Sequence, residues 1–532
     1  MNNESRYSGW IIFLYLLIAF LFGISVAINF LPSRKNVVMS NAQAGKLNEV
    51  LQYVDRYYVD SVKADTLFDQ AISYILQSLD PHSSYATPEQ NKAMMESLEG
   101  AFEGVGIQFN IMNDTVMVVA TVSGGPAERS GIRAGDRIVS VDGKSMIGAT
   151  NDRVYKSLRG KKGSKVKVGV RRPGSKDVAM YDLRRDVIPT YTVDVSYMVN
   201  KNTGYIKINE FGSTTAKEFT NAIQKLKNQG MTSMIVDLRG NSGGFLDAAI
   251  GVCDEMLSKN QKIVSVEGLK VRPEVFKATR KGSFQEGKVV ILIDDFSASA
   301  SEIVAGAIQD NDRGFVVGRR SFGKGLVQRQ FNLSDNSTIR LTTARYHTPS
   351  GRCIQRDYKD GTEAYYEDVY NRLSSGELMN ADSAKLDKSV SYTTVGGRTV
   401  YGGGGIMPDY YVPVDTNSAL DGYYTVANTA ALIQYAFHYA NNHKADLKKQ
   451  YPNATAFAAK MTVTDAQLND ALKVYTQLTK KSVPTLSNSS KQELKKWMKA
   501  LIGRNLYGND AFYPVVNATD KTVLKALEVL KK

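Results

Sequence analysis

KVVILIDDFSASASEIVAGAIQD, residues 288–310, places an apolar run, a turn of small residues and a helix-like stretch in immediate succession. The run at 288–294 is too uninterrupted for a strand with one wet face; it suits a strand covered on both faces of a sheet. A helical stretch follows at 300–309. SMIVDL, residues 233–238, repeats the device, with a helical stretch at 246–257 behind it. Strands and helices that alternate in this way predict an α/β core.

Working outward, residues 100–187 change texture to short β-like runs with frequent glycine. VMVVATV (116–122), DRIVSVDG (136–143) and KVKVGVRR (165–172) read as strands, with one helical segment at 151–158 and an Asp142-Gly143 hairpin signal. Residues 42–80 read as helical, because Leu47, Val50, Leu51, Val54 and Tyr58 recur at three- and four-residue steps, as do Leu67, Ala71, Ile72, Ile75 and Leu76. Asp80-Pro81 ends that run. Beyond about residue 417 the pattern is helical and lysine-rich to the end. Residues 9–31, GWIIFLYLLIAFLFGISVAINFL, carry no charge. At 1.5 Å rise per residue they are long enough for a hydrocarbon core of ~30 Å, which predicts a single membrane anchor. Ser25-Val26-Ala27 is also a small-residue cleavage signal. Arg6 precedes the span and Arg34 and Lys35 follow it, so the flanking charges do not orient it.

At 532 residues the chain is too long for one core, and its 43% hydrophobic and 23% charged residues are those of a folded protein. The net charge of +14 is scattered among many acids, without zinc-knuckle spacing or an aromatic-basic signature, so no nucleic-acid partner is expected. Two distant cysteines, Cys253 and Cys353, form neither a disulfide framework nor a metal motif. No metal or organic cofactor is expected. Four histidines, His82, His347, His438 and His443, leave few candidates for a catalytic imidazole.

The chemistry concentrates in three segments. In DFSASASE (295–302), small residues let a strand turn sharply into a helix, so that a hydroxyl is exposed where the helix dipole favours developing negative charge. Taken alone, a serine-rich cap is the better explanation. RSFGKGLVQ (320–328) flanks Lys324 with glycines and an apolar tail, a setting that points the side chain inward. Burial lowers a lysine from its usual ~10.4 towards the range where it is neutral and can accept a proton. In DLRGNSGGFLD (237–247), Gly243 and Gly244 can present backbone N–H groups to an oxyanion. GRRSFGKG (318–325) matches the GxxxxGK part of a phosphate-binding loop, but Gly325 stands where Ser or Thr must hold magnesium, and an extended segment follows in place of a helix.

Together with LDPHSSY (79–85), YHTPSGR (346–352) and GGIMPD (404–409), these segments resemble the C-terminal processing peptidases, or tail-specific proteases, over about residues 79–413. The resemblance implies that Ser299, the middle serine of SASAS, is the nucleophile, that Lys324 is its base and that Gln328 holds the lysine. Asp310 would give structural support. Ser299 Oγ would then attack a peptide carbonyl while neutral Lys324 takes its proton, giving an acyl-enzyme. The oxyanion hole would use the Ala300 N–H and one from Gly243 or Gly244. A Ser-His-Asp triad through His347 is the competing arrangement.

The β-rich region resembles a PDZ domain. GVGIQF (104–109) has the form of a carboxylate-binding loop and an edge strand, and residues 124–143 resemble the central stretch of bacterial PDZ domains. Gly104, Val105, Gly106 and Ile107 are the expected tail-binding residues, through free N–H groups and strand addition. Val154 and Leu158, four apart on the helix, would line the pocket for the last apolar side chain.

The expected architecture is therefore multidomain α+β: a transmembrane anchor (9–31), an N-terminal helical region (40–98), a PDZ domain (99–186) inserted before an α/β peptidase core (187–416), and a C-terminal helical domain (417–532). The expected function is a serine endopeptidase that recognises free C-terminal tails of envelope proteins. The resemblance places it in an inner membrane with its catalytic part in the periplasm. The helical regions are candidate contacts for a homo-oligomer. The other function class that fits is a non-catalytic PDZ adaptor on a peptidase-like core.

Overall fold

A computed structural model describes residues 41–531 apart from 113, 123, 173, 174, 176, 280, 281, 381–388 and 415–420. The expected anchor at 9–31 lies outside the described residues. Among the described residues no helix is long and apolar enough to cross a membrane. The chain divides into two compact units, Met1–Ile72 and Ser73–Lys532. The described part of the first holds helix α1 (Asn41–Tyr57), whose Leu47, Val50 and Tyr53 are exposed, and the start of α2 (Ala64–Gln77).

In the second unit, strand β1 (Ser84–Ala86) leads to α3 (Pro88–Leu98). Thr87 and Gln90 form a capping box at the start of α3, satisfying two of the helix's orphan N–H groups. Strand β2 (Ala101–Gly104) is followed by β3 (Ile107–Met112), β4 (Thr115–Thr121), the short α4 (Pro126–Arg129), β5 (Arg137–Val141), β6 (Lys144–Ser145), α5 (Asn151–Leu158), β7 (Lys165–Arg171), β8 (Val178–Arg184) and β9 (Asp186–Pro189). One sheet runs in the order β3-β4-β5-β7-β8, and β2 pairs with β9 where the module enters and leaves the core. β3 is an edge strand. Val116, Val118, Ile138, Val168 and Val154 close the module's own core.

The core sheet is β10 (Val193–Met198), β11 (Thr203–Ile208), β12 (Ser233–Asp237), β15 (Lys288–Ile293), β16 (Phe315–Gly318) and β21 (Tyr410–Tyr411), parallel except for β10. Its central strands β11, β12 and β15 are buried on both faces, as the apolar runs of β12 and β15 require. Ile206, Val236 and Ile291 meet α6 (Thr215–Lys227), α7 (Leu246–Met256) and α8 (Ala300–Asp310) in one cluster. Tyr205, Ile235 and Val290, one residue out of phase, point the other way and pack on Val523, Ala526 and Val529. Those three come from the C-terminal helix, Lys521–Val529. A second sheet is built from β1, β13 (Lys262–Gly268), β14 (Val271–Lys277), β17 (Leu326–Asn332) and β18 (Thr338–His347).

After α9 (Thr362–Ser374) and the hairpin β19 (Ser391–Thr393)–β20 (Thr399–Tyr401), the chain becomes helical: α10 (Tyr423–Ala427), α11 (Ala431–Asn442), α12 (Lys444–Gln450), α13 (Ala454–Lys460), α14 (Asp465–Thr479), α15 (Asn488–Tyr507), α16 (Asn509–Asn517) and α17 (Lys521–Val529). Residues from Val426 to Ala511 share one core. The expected 417–532 domain thus divides, because α17 covers the second face of the core sheet. Arg239 Nη1 fixes it through Asp520 at 2.9 Å.

Candidate active site

Loops at the C-terminal ends of the adjacent parallel strands β12 and β15 form the centre of the site, the position where open α/β sheets leave a crevice. They are sewn together through the serines that flank Ser299. Ser297 Oγ donates to the Leu238 carbonyl at 2.9 Å, Ser301 Oγ to the Asn241 carbonyl at 2.9 Å, and the Ala298 N–H to the same carbonyl at 3.0 Å. Ser297 and Ser301 are fully buried. Ser299, half-buried between them, takes φ 54° and ψ −112°, a conformation a residue with a Cβ adopts only under constraint.

That constraint comes from Glu302 and Tyr346. Glu302 is fully buried and accepts four hydrogen bonds: Oε2 from the N–H groups of Ser299 (2.8 Å) and Lys324 (2.9 Å), Oε1 from the Gly323 N–H (2.7 Å) and the Ser321 hydroxyl (2.5 Å). Burial raises its carboxyl above the usual range, against the pull of those donors. The Tyr346 hydroxyl, also buried, lies 2.7 Å from the Lys324 carbonyl and 3.1 Å from that of Ser299. Sequence reasoning gave neither residue a role, although both fall inside the quoted motifs.

Ser299, Ala300, Gly244, Lys324 and Gln328 line one cavity of about 330 Å³, which Met94, Met95, Leu98 and Leu326 make apolar. Among its described lining residues there is no histidine; His347 sits on β18 paired with Ser265, away from the cavity that Ser299 lines. Burial lowers the Lys324 ammonium below the ordinary lysine value, and the Arg340 guanidinium, another lining residue, adds to the effect. Glu302 and Asp80 act in the opposite sense. Lys324 forms no salt bridge with a described carboxylate.

Gln328 reaches the cavity, but its Nε2 donates to Thr342 Oγ1 at 3.3 Å. Thr342 Oγ1 donates onward to Asp80 Oδ1 at 3.0 Å, and Ser83 Oγ to Asp80 Oδ2 at 2.6 Å. The LDPHSSY segment is thereby tied to the lysine strand. His82 beside it is driven down to about 3, by burial first and then by Lys324.

The two glycines differ. Gly243 donates its N–H to Asn241 Oδ1 at 2.9 Å, so that N–H is already engaged. A Cβ on Gly243 would stand 2.8 Å from Ser299 Cβ and 2.9 Å from the Ala298 carbonyl oxygen, so the two loops pack too closely for a side chain there. Gly244 is held by the Phe211 backbone and opens onto the cavity.

Behind the lysine loop, arginines satisfy its carbonyls. Arg372 Nη1 donates to those of Arg320 and Ser321 at 3.1 and 2.9 Å, and the Arg356 N–H donates to that of Gly323 at 3.0 Å. The Arg356 guanidinium lies between the rings of Phe322 and Tyr365, at 4.4 and 4.2 Å. Asp310 supports the far end of α8, pairing with Arg352 at 2.7 Å and accepting from Ser350 Oγ at 2.6 Å.

In the β-rich module, the Val105 and Gly106 carbonyls accept from Ala127 and Val122, which turns the loop from Gly104 to Ile107 inward on its acceptor side. The cavity next to that loop, about 710 Å³, is lined by Ile107, Phe102, Val122, Tyr155 and Arg159. Val154 and Leu158 are not among its walls. They are buried with Val105 in the module's core, so the helix presents Tyr155 and Arg159 instead. The stripe four apart was the packed face of the helix.

The profile of peptidase family S41 matches residues 202–364, that of the PDZ domain residues 95–171, and a family of unknown function residues 423–508. The carboxy-terminal processing protease CtpA of Bacillus subtilis (strain 168) is 36% identical over 61% of this chain and 69% of its own. The carboxy-terminal-processing protease of Bartonella bacilliformis is 35% identical over 64% of this chain and 80% of its own. Of solved structures, the photosystem II D1 C-terminal processing protease aligns with 58% of this chain and 89% of its own, at 29% identity and a TM-score of 0.34.

Proposed function

Because the chain belongs to the carboxy-terminal processing proteases, serine peptidases of family S41 with a PDZ domain, we propose that it cleaves peptide bonds by a Ser299/Lys324 dyad. The observation that carries this reading is that both side chains open onto one cavity while their backbones share the Glu302 carboxylate. Neutral Lys324 Nζ takes the proton from Ser299 Oγ as that oxygen bonds to the scissile carbonyl carbon. The N–H groups of Ala300 and Gly244 receive the oxyanion. The intermediate collapses with loss of the amine, which leaves with the proton from Lys324, and Ser299 remains as an ester. Water gives a proton to Lys324 as its oxygen bonds to the ester carbon; the bond to Ser299 Oγ then breaks, Lys324 returns the proton to that oxygen, and the new C-terminal carboxyl group leaves. Gln328, tied to Thr342 and Asp80, sets the wall along which Lys324 lies.

The PDZ domain supplies the endpoint sensor: the loop from Gly104 to Ile107 takes the terminal carboxylate, and the edge of β3 takes the tail as an added strand. The apolar segment 9–31 is the proposed inner-membrane anchor, with the catalytic part in the periplasm and envelope proteins as substrates. Self-association would draw on the exposed Leu47 and Val50 of α1. The dyad is tested by quenching a reaction with a peptide ester in acid and mapping the acylated residue by mass spectrometry. Acylation at Ser299 is expected; acylation at another residue overturns it.

A further inference from the structure

The tail-binding cavity has a neighbour. A second cavity, about 570 Å³, lies between the far end of β3 and the C-terminal helices, with Asn110 and Met112 on one side and Ile433, Phe437, Leu501 and Arg504 on the other. Met112, Met117 and Phe437 form a small apolar core of their own, which fastens α11 to the end of the PDZ sheet. Both cavities share Gln108, Phe109 and Asn509, so they follow one another along the same strand. That strand, β3, is the free edge of its sheet.

Resting on the tail-binding reading above, we infer that this second cavity is an upstream subsite of the tail-binding groove, selective for acidic side chains. A tail pairing antiparallel to β3 with its carboxylate at the Gly104–Ile107 loop advances one residue for each residue of the strand. With its last residue opposite Ile107, the third and fifth residues before the last lie opposite Asn110 and Met112. Opposite residues in an antiparallel pair point to the same face, so those two side chains enter the second cavity. Among the described residues that line it, Arg504 is the one charged side chain, and no described carboxylate pairs with it. Its guanidinium rests on the Phe512 ring at 5.0 Å, with Leu501 and Ile433 near by as lining residues. The occupant is therefore a tail with Asp or Glu at those two positions. The C-terminal helical region, from which no described residue lines the Ser299 cavity, thus reads the sequence that precedes the chain end.

Fluorescence anisotropy on the full chain carrying Ser299→Ala tests this without cleavage. The probes are labelled octapeptides ending in an apolar residue, with Asp, Asn or Lys at the two positions, tetrapeptides that stop short of the fifth-from-last position, and C-terminally amidated copies. The Asp octapeptide should bind about three- to fivefold more tightly than the Asn one, the scale of an exposed charge pair. Arg504→Glu should reverse the order so that the Lys octapeptide binds best. Equal binding of the three octapeptides, or an equal change for all of them in Arg504→Glu, overturns the subsite while leaving tail recognition intact if free tails still exceed amidated ones. Equal binding of free and amidated tails overturns tail recognition itself, and the subsite with it.

Discussion

The backbone N–H groups of Ser299 and Lys324 point at a single oxygen, Glu302 Oε2, at 2.8 and 2.9 Å. Two loops from different parts of the chain are therefore registered by one buried carboxylate. Its second oxygen serves Gly323 and Ser321. An amide offers one acceptor oxygen with two lone pairs, so Glu302→Gln leaves at least two of the four donors unmet and presents an NH2 to N–H groups. We expect a stability loss of roughly 1–3 kcal/mol from buried orphaned donors, read as a lower thermal midpoint, and a fall in kcat larger than any change in KM. An unchanged kcat would show that the clasp is structural only.

Arg340 lowers Lys324 together with burial. A general base works only when unprotonated, so the rate should climb as pH passes through the lysine's pKa, on a limb below the usual ~10.4. Arg340→Gln removes a cation that disfavours the ammonium. The pKa of Lys324 then rises and the limb in the kcat/KM profile moves to higher pH. A limb that stays in place or moves down contradicts the assignment of Lys324 as the base.

Gly243 leaves no room for a methyl group beside the Ser299 Cβ. Gly243→Ala must push Ser299 from its position, and if Ser299 is the attacking group, misplacement by about 1 Å costs on the order of a hundredfold in rate. The circular dichroism spectrum should remain that of the parent. Activity within threefold of the parent would mean that the loop yields without displacing Ser299.

Thr342 passes the Gln328 amide on to Asp80. Thr342→Val keeps the shape and removes both bonds, at about 0.5–1.5 kcal/mol each. If Gln328 positions Lys324, kcat should fall several-fold and Thr342→Ser should restore it. A loss of stability with unchanged kcat would assign Thr342 to packing alone.

The α/β core was legible because KVVILI and SMIVD are too apolar to be wet on either face, and both are central strands, buried throughout except at Lys288. The PDZ strands were legible from short runs between glycines. Glu302 was not, because a glutamate three residues into a helix looks like a solvated first-turn acid; only the fold brings Ser321, Gly323 and Lys324 against it. Which serine of SASAS differs was also beyond pattern, since Ser297 and Ser301 are spent on carbonyls of another loop. Val154 and Leu158 illustrate the opposite error, for an i, i+4 apolar pair states that a helix packs, not what it packs against. The closing role of α17 is likewise tertiary: its stripe fits the core sheet, not the bundle before it in sequence.

The central claim, a Ser299/Lys324 dyad, is tested most directly by following cleavage of one unfolded, free-tailed protein by the parent, Ser299→Ala and Lys324→Ala, each checked for parental folding by circular dichroism. The parent alone should produce fragments, with both variants down by a thousandfold or more on the scale of lost catalytic groups. Equal cleavage by all three would contradict the account.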